Sequence, residues 1–232
     1  MYKKEPVNII MPVYNEERTV AEIIRRVLAQ KVVDRLIIIN DNSGDSSLEK
    51  IKKAARGDKR IVYLSNSRNM GKGYSVIRGI RLVRKGIIII QDADLEYFPE
   101  DYMRMLPKLG ERTIVLGTRM RGRKTGHEYV MAKLANAGLT GLFNALYNRE
   151  LTDMNTCYKV FRKEMLKGVR LTKNDFLIEP EILIGLAKKG YNISEVDIRY
   201  QGRTYDEGKH IRASDGIKQA FYMMAKRFDE NA

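Results

Sequence analysis

Four consecutive isoleucines, Ile87 to Ile90, run straight into Gln91-Asp92-Ala93-Asp94. An apolar run this short and unbroken has no polar face, so it fits a strand covered on both sides. The same kind of run recurs at Val7 to Val13, Leu36 to Ile39, Ile61 to Leu64 and Ile114 to Leu116. Helical patterns lie between them: Arg18 to Gln30, with Val20, Ile23, Ile24, Val27 and Leu28 at helical spacing, then Ser46 to Ala55, then Gly73 to Val83. Buried strands alternating with helices predict an α/β fold: one doubly wound, mostly parallel sheet with helices on both faces. Such a sheet binds its ligands beyond the carboxyl ends of its strands.

The second half is less regular. Glu128 to Tyr147 reads as one long helix, or as two broken near Gly138 to Gly141. A short strand at Val160-Phe161 and a helix over Glu181 to Lys188 come next. Tyr191 to Tyr200 carries a strand, and Ser214 to Phe228 reads as a C-terminal amphipathic helix. With no linker, repeat or low-complexity stretch, residues 1–232 are expected to form a single domain.

No stretch of about 18 apolar residues is present, so no transmembrane helix is expected, and the N-terminus lacks the apolar core of a signal peptide. Cys157 is the only cysteine, which excludes an intrachain disulfide and fits a reducing compartment. These features predict a protein made in the cytosol, soluble or peripheral at the cytoplasmic membrane face. The formal net charge of +14 predicts an anionic partner, which composition leaves open between nucleotide phosphates, nucleic acid and an acidic lipid surface.

Polar residues cluster where the sheet puts its ligands. The four strand ends carry Pro12-Val13-Tyr14-Asn15-Glu16-Glu17, Asn40-Asp41-Asn42-Ser43-Gly44-Asp45, Asn66 to Gly73 with its Gly71-Lys72-Gly73 turn, and Asp92-Ala93-Asp94-Leu95-Glu96. Any one of these could be a helix cap or a turn; four in succession argue for a site. If the chain stays extended past Ile90, Asp92 and Asp94 point to the same side. Two carboxylates held together suit a hard divalent cation, Mg²⁺ or Mn²⁺, completed by diphosphate oxygens, with Glu96 as a third oxygen donor. Asp41 stands where a dinucleotide-binding fold meets a ribose. The turn after the first strand nevertheless lacks Gly-x-Gly-x-x-Gly, and Lys72 is followed by Gly73 where a P-loop needs Ser or Thr. Nucleoside binding survives; hydride transfer and P-loop hydrolysis do not.

Together these stretches resemble family 2 glycosyltransferases of the GT-A fold, in the dolichol-phosphate mannose synthase and polyprenyl-phosphate glycosyltransferase branch. The resemblance extends through Gly117-Thr118-Arg119, Thr152-Asp153-Met154-Asn155-Thr156, Phe176 with Glu179, and Arg203 with Gly208-Lys209, over roughly residues 7–216. Three departures stand out: Asn40-Asp41 replaces paired aspartates, Cys157 replaces a glycine, and His210 follows Lys209.

The resemblance implies an inverting transfer of a sugar from a nucleotide-diphosphate donor of the GDP-mannose or UDP-glucose type. Pro12, Tyr14, Asn15 and Glu16 would frame the nucleoside, with Asp41, Gly71, Lys72, Asp92 and Ala93. Asp92, Asp94 and Glu96 would hold the metal. Arg119 and Arg203 would face phosphates, and Lys209 would lie on a loop closing over the diphosphate. The acceptor would be a polyprenyl phosphate, which is ionised near neutral pH and needs no base, or a saccharide hydroxyl, for which Asp153 is the candidate base. Met120 to Arg149 mixes basic and apolar residues, as does the last helix; such helices lie on anionic membranes or pack on protein, including a second subunit. Two rivals fit less well. A sugar-phosphate nucleotidyltransferase would need a glycine-rich loop after the first strand. A nucleic-acid-binding module would need a basic, aromatic stripe in place of carboxylates in the cleft.

Overall fold

The computed structural model describes residues 5–120, 127–203 and 213–229. Lys209, His210 and the basic residues Arg121, Arg123 and Lys124 lie outside them. A seven-stranded sheet in the order β3-β2-β1-β4-β6-β5-β7 runs through the molecule. Its strands are β1 (Val7–Val13), β2 (Arg35–Asn40), β3 (Ile61–Ser65), β4 (Ile87–Ile90), β5 (Thr113–Thr118), β6 (Lys159–Arg162) and β7 (Asn192–Asp197). The helices are α1 (Val20–Leu28), α2 (Ser47–Gly57), α3 (Lys72–Leu82), the short α4 (Tyr102–Met105), α5 (His127–Tyr147), α6 (Ile178–Lys188) and α7 (Ala213–Phe228).

The expected doubly wound, mostly parallel sheet is found. Every residue of Ile87–Ile90 is fully buried, as are Ile9, Ile10, Met11 and Leu36 to Ile39 beside it. Only β3, at an edge, alternates buried with exposed positions, because one side of it faces solvent. Gly138 and Gly141 do not break α5, which is continuous. Helix α6 begins at Ile178, ahead of the expected Glu181, with Pro180 in its first turn, where the missing N–H costs no intrahelical bond.

One strand runs against the rest. Strand β6 sits between β4 and β5 and is antiparallel to both, pairing Ile89 with Val160 and Leu116 with Lys159. In a parallel strand the residues after it reach the ligand edge. For β6 it is the residues before it, Thr152 to Tyr158, that arrive there.

Candidate functional site

The loops after β1 and β2 are stitched together before any ligand is considered. Asn15, in a left-handed conformation, donates its backbone N–H to Ser43 Oγ and accepts from the Gly44 N–H at 2.8 Å. Glu16 and Glu17 donate their backbone N–H groups to Ser47 Oγ and Asp45 Oδ2. This leaves Tyr14 exposed at the rim and Pro12 half-buried.

Asp41 is buried, and both its oxygens are occupied. It accepts from Asn66 Nδ2 (2.6 Å), the Met70 N–H (2.9 Å) and the Gly71 N–H (2.7 Å), so it shapes the 66–71 loop from within. The glycines of that loop have a packing reason of their own. A side chain on Gly71 would lie 2.4 Å from the Asn174 carbonyl oxygen, and one on Gly73 would lie 2.2 Å from that of Lys173. The Gly73 and Tyr74 N–H groups, at the start of α3, both donate to the Asn174 carbonyl. A neighbouring loop therefore caps this helix end and occupies donors that a phosphate would otherwise use. A cavity of about 550 Å³ opens on the far side of the loop, lined by Arg68, Met70, Tyr74 and Arg78 among others.

The chain does not stay extended past Ile90. It bends from Ala93 to Glu96, and the two aspartates meet different partners. Asp92 meets the Lys72 ammonium at 2.8 Å. Asp94 meets Arg203 at 3.2 Å, and the same guanidinium reaches Glu16 at 2.9 Å and Glu96 at 3.8 Å. Glu96 also accepts from Tyr200 Oη and the Arg203 backbone N–H. Burial and then the charges of Asp92 and Glu96 push the Asp94 pKa up to about 8, against the pull of Arg203. Three carboxylates thus share one cation and remain short of positive charge. The donors are all oxygen, the chemistry a hard divalent ion prefers. Among the described residues no three His, Cys, Asp or Glu side chains form a ready-made metal cage.

Next to this group, Arg119 grips Asp153 in a fork, with Nε to Oδ2 and Nη2 to Oδ1 both at 2.7 Å. The Arg119 N–H and Asn136 Nδ2 also donate to Asp153, whose side chain is fully buried. Burial alone would raise the Asp153 pKa; the Arg119 charge and these hydrogen bonds outweigh it and hold the carboxyl below its usual range. The Arg119 guanidinium lies over the Tyr200 ring at 5.1 Å.

One residue here escapes a rule that considers only the segment after each strand. Lys159, which opens the antiparallel β6, lies behind the site with a side chain 1% exposed and pairs with Glu179 at 2.7 Å. Gln91 accepts hydrogen bonds from Tyr102 Oη (2.5 Å) and Tyr158 Oη (2.6 Å) beneath the Asp92 turn. A lysine inside the run Tyr158-Lys159-Val160-Phe161 is the one signal that could have marked the first.

Comparison with known proteins bears on family and fold. A sequence model described as Glycosyl transferase family 2 matches residues 8–170. The undecaprenyl-phosphate 4-deoxy-4-formamido-L-arabinose transferase of Shewanella sediminis is 27% identical over 88% of this chain and 61% of its own length. Its counterpart from Proteus mirabilis is 23% identical over 90% of this chain and 64% of its own. The chain thus spans about three fifths of these relatives. Among solved structures, Mycobacterium tuberculosis glucosyl-3-phosphoglycerate synthase with Mn²⁺, UDP-glucose and phosphoglyceric acid superposes with TM-score 0.73 at 17% identity, over 97% of this chain and 80% of that one. The same enzyme with Mg²⁺ and UDP gives 0.72 at 18% identity over the same shares. The sheet is of the GT-A type, and the chain belongs to glycosyl transferase family 2.

Proposed function

We propose that this protein transfers a sugar from a nucleoside-diphosphate donor to a polyprenyl phosphate. The observation that carries the donor half is the group of Glu16, Asp94 and Glu96 around Arg203 at the carboxyl ends of the strands. Three carboxylates share one guanidinium, and the crowding that raises Asp94 is what a divalent ion would relieve. Asp94, with Asp92 and Glu96, would hold Mg²⁺ or Mn²⁺, which supplies charge stabilisation to the departing diphosphate. The solved neighbour with Mn²⁺ and UDP-glucose supports a divalent metal beside a nucleotide sugar; GDP-mannose and UDP-glucose remain the proposed donor types.

The protein's own residues then divide the work. Tyr14, Pro12 and the 66–71 loop held by Asp41 frame the nucleoside, with Ala93 buried at its floor. Lys72, Arg119 and Arg203 meet phosphate charge; Lys209, the other basic candidate, lies outside the described residues. The acceptor phosphate attacks the anomeric carbon opposite the departing diphosphate, with inversion. It is already ionised and needs no base, which suits an Asp153 whose two oxygens are engaged by Arg119 and Asn136. Asp153 acts by orienting Arg119.

The acceptor half rests on the undecaprenyl-phosphate transferases among the relatives. A lipid acceptor calls for a surface that meets a membrane. Met131 and Leu134 on α5, and Ile217, Phe221 and Phe228 on α7, are exposed. We assign that face to peripheral contact with an anionic bilayer. Among the described residues no helix is long and apolar enough to cross a membrane. Transfer to a saccharide hydroxyl is the second reading, and it would require Asp153 to leave Arg119.

A thermal-shift titration with GDP, UDP and dTDP, each with and without Mn²⁺, tests the donor half. Stabilisation by one of them only with metal is expected and names the base. No response to any of them would overturn it. Transfer of label from the matching nucleotide sugar to undecaprenyl phosphate, and none to oligosaccharides, is expected next; the reverse would favour the second reading.

A further inference from the structure

Four charged groups form a chain through the interior behind the proposed donor site. Asp92 meets Lys72 at 2.8 Å, Lys72 pairs with Glu179 Oε1 at 3.1 Å by charge without a formed hydrogen bond, and Glu179 meets Lys159 at 2.7 Å. They come from four places: the turn after β4, the start of α3, the start of α6 and the start of β6. Lys159 is 1% exposed and Glu179 6%, so neither can be a solvated surface charge. Lys159 Nζ is further fixed by donating to the Thr156 carbonyl. Only Lys72 and Asp92, with side chains 17% and 20% exposed, reach the cleft.

Burying such a pair is expensive, and replacing it with apolar residues of similar volume often leaves a fold as stable or more so. A stability role therefore accounts poorly for Lys159–Glu179. The layout points to placement. The ammonium of Lys72 sits on a long flexible stem, which by itself would wander over several ångströms. Between two carboxylates it is confined, and the Glu179 carboxylate is confined by Lys159 in turn. The alternating charges sum to zero, so the chain delivers a fixed cation to the cleft without altering the net charge of the site.

We propose that Lys159 and Glu179 are positioning residues that hold the Lys72 ammonium at Asp92, where it meets the donor diphosphate. The inference rests on the nucleotide-sugar reading and assigns that reading two residues it does not otherwise use. Loss of the tether lets Lys72 move, and part of its contribution to nucleotide binding is lost with it.

The test is a calorimetric titration of UDP and GDP with Mn²⁺ into wild type, Glu179→Gln, Lys72→Met, the Glu179→Gln/Lys72→Met double variant and Lys159→Arg. Because Glu179→Gln leaves Lys159 buried beside a neutral group, Lys159→Met/Glu179→Gln is measured too, and melting temperatures are recorded for all. Glu179→Gln and Lys159→Met/Glu179→Gln are expected to weaken nucleotide binding by roughly tenfold, a typical size for coupled contacts. With Lys72 already replaced, removing Glu179 should cost nothing further, and Lys159→Arg should bind as wild type does. Additive losses, or a fall in melting temperature with affinity unchanged, would overturn the positioning role while leaving the donor site intact. Failure of wild type to bind either nucleotide would overturn both readings together.

Discussion

Glu16 and Arg203 lie 187 residues apart in sequence and meet at 2.9 Å, with Asp94 on the same guanidinium. The contact ties the loop after the first strand to the last segment before α7. It also puts an internal cation among the carboxylates proposed to receive a metal. Arg203→Ala is therefore expected to bind Mn²⁺ more tightly than wild type when no nucleotide is present, as read by the loss of free Mn²⁺ resonance signal. Turnover should fall by on the order of 100-fold, as when one preorganised donor to developing charge is removed. Weaker Mn²⁺ binding in the variant would place the metal elsewhere.

Asp94→Ala should abolish metal-dependent nucleotide stabilisation while leaving the fold intact, because its carboxylate holds no strand or helix end in place. Far-UV circular dichroism paired with the thermal-shift titration checks both halves. Mn²⁺-dependent affinity equal to that of wild type would remove Asp94 from the metal assignment.

Asp153 gives a stability prediction with a definite sign. Its folded-state pKa is held below the unfolded value, so its contribution is present above about pH 4 and is lost as pH falls through the lower folded value. Asp153→Asn should lower unfolding free energy near neutral pH by about 3 kcal/mol, the order found when one partner of a buried pair is removed. The loss should shrink in acid, and urea unfolding at pH 7 and pH 3 measures the difference. If the variant binds donor normally but loses transfer to a saccharide hydroxyl that wild type carries out, Asp153 acts as a base and the hydroxyl-acceptor reading gains.

Gln91→Leu leaves the buried Tyr102 and Tyr158 hydroxyls without their common acceptor, and two such orphans should cost about 2–4 kcal/mol. Either tyrosine changed to phenylalanine removes a single donor and should cost about 1 kcal/mol. Equal losses in all three variants would mean that the hydroxyls find other partners.

Gly73→Ala drives a methyl group against the Lys173 carbonyl, at 2.2 Å before any adjustment. That contact is with backbone, and the expected loss is about 2 kcal/mol, typical of overpacking. Chemical denaturation reads it directly; an unchanged midpoint would show that the 172–175 loop yields.

How much of this was legible beforehand depends on how local the cause is. Ile87–Ile90 declares a doubly buried strand because burial on two faces leaves no polar position, and the residues after it declare a ligand edge. The Gly71-Lys72-Gly73 turn was legible as a special backbone but not in its cause, since Asn174 lies about a hundred residues away. The extended path assumed for Asp92 and Asp94 failed at the bend that begins at Ala93, a residue that carries no turn signal. Lys159 stayed hidden because rules for parallel strands look after a strand, and β6 presents the residues before it. Its partner Glu179 gave no role by itself, because a buried charge is recognised only through the group that neutralises it.

The reversed β6 also orders the making of the molecule. Strands β1 to β4 can pair as soon as Ile90 has left the ribosome, but β5 reaches that half only through β6, some seventy residues later. Until Lys159–Arg162 arrives, the isoleucine strand stands as an open edge whose unpaired backbone can recruit another chain. Growth at about 5–20 residues per second makes that exposure last several seconds. The same insertion that places a lysine in the interior behind the cleft leaves the nascent chain with an open edge while it is being made.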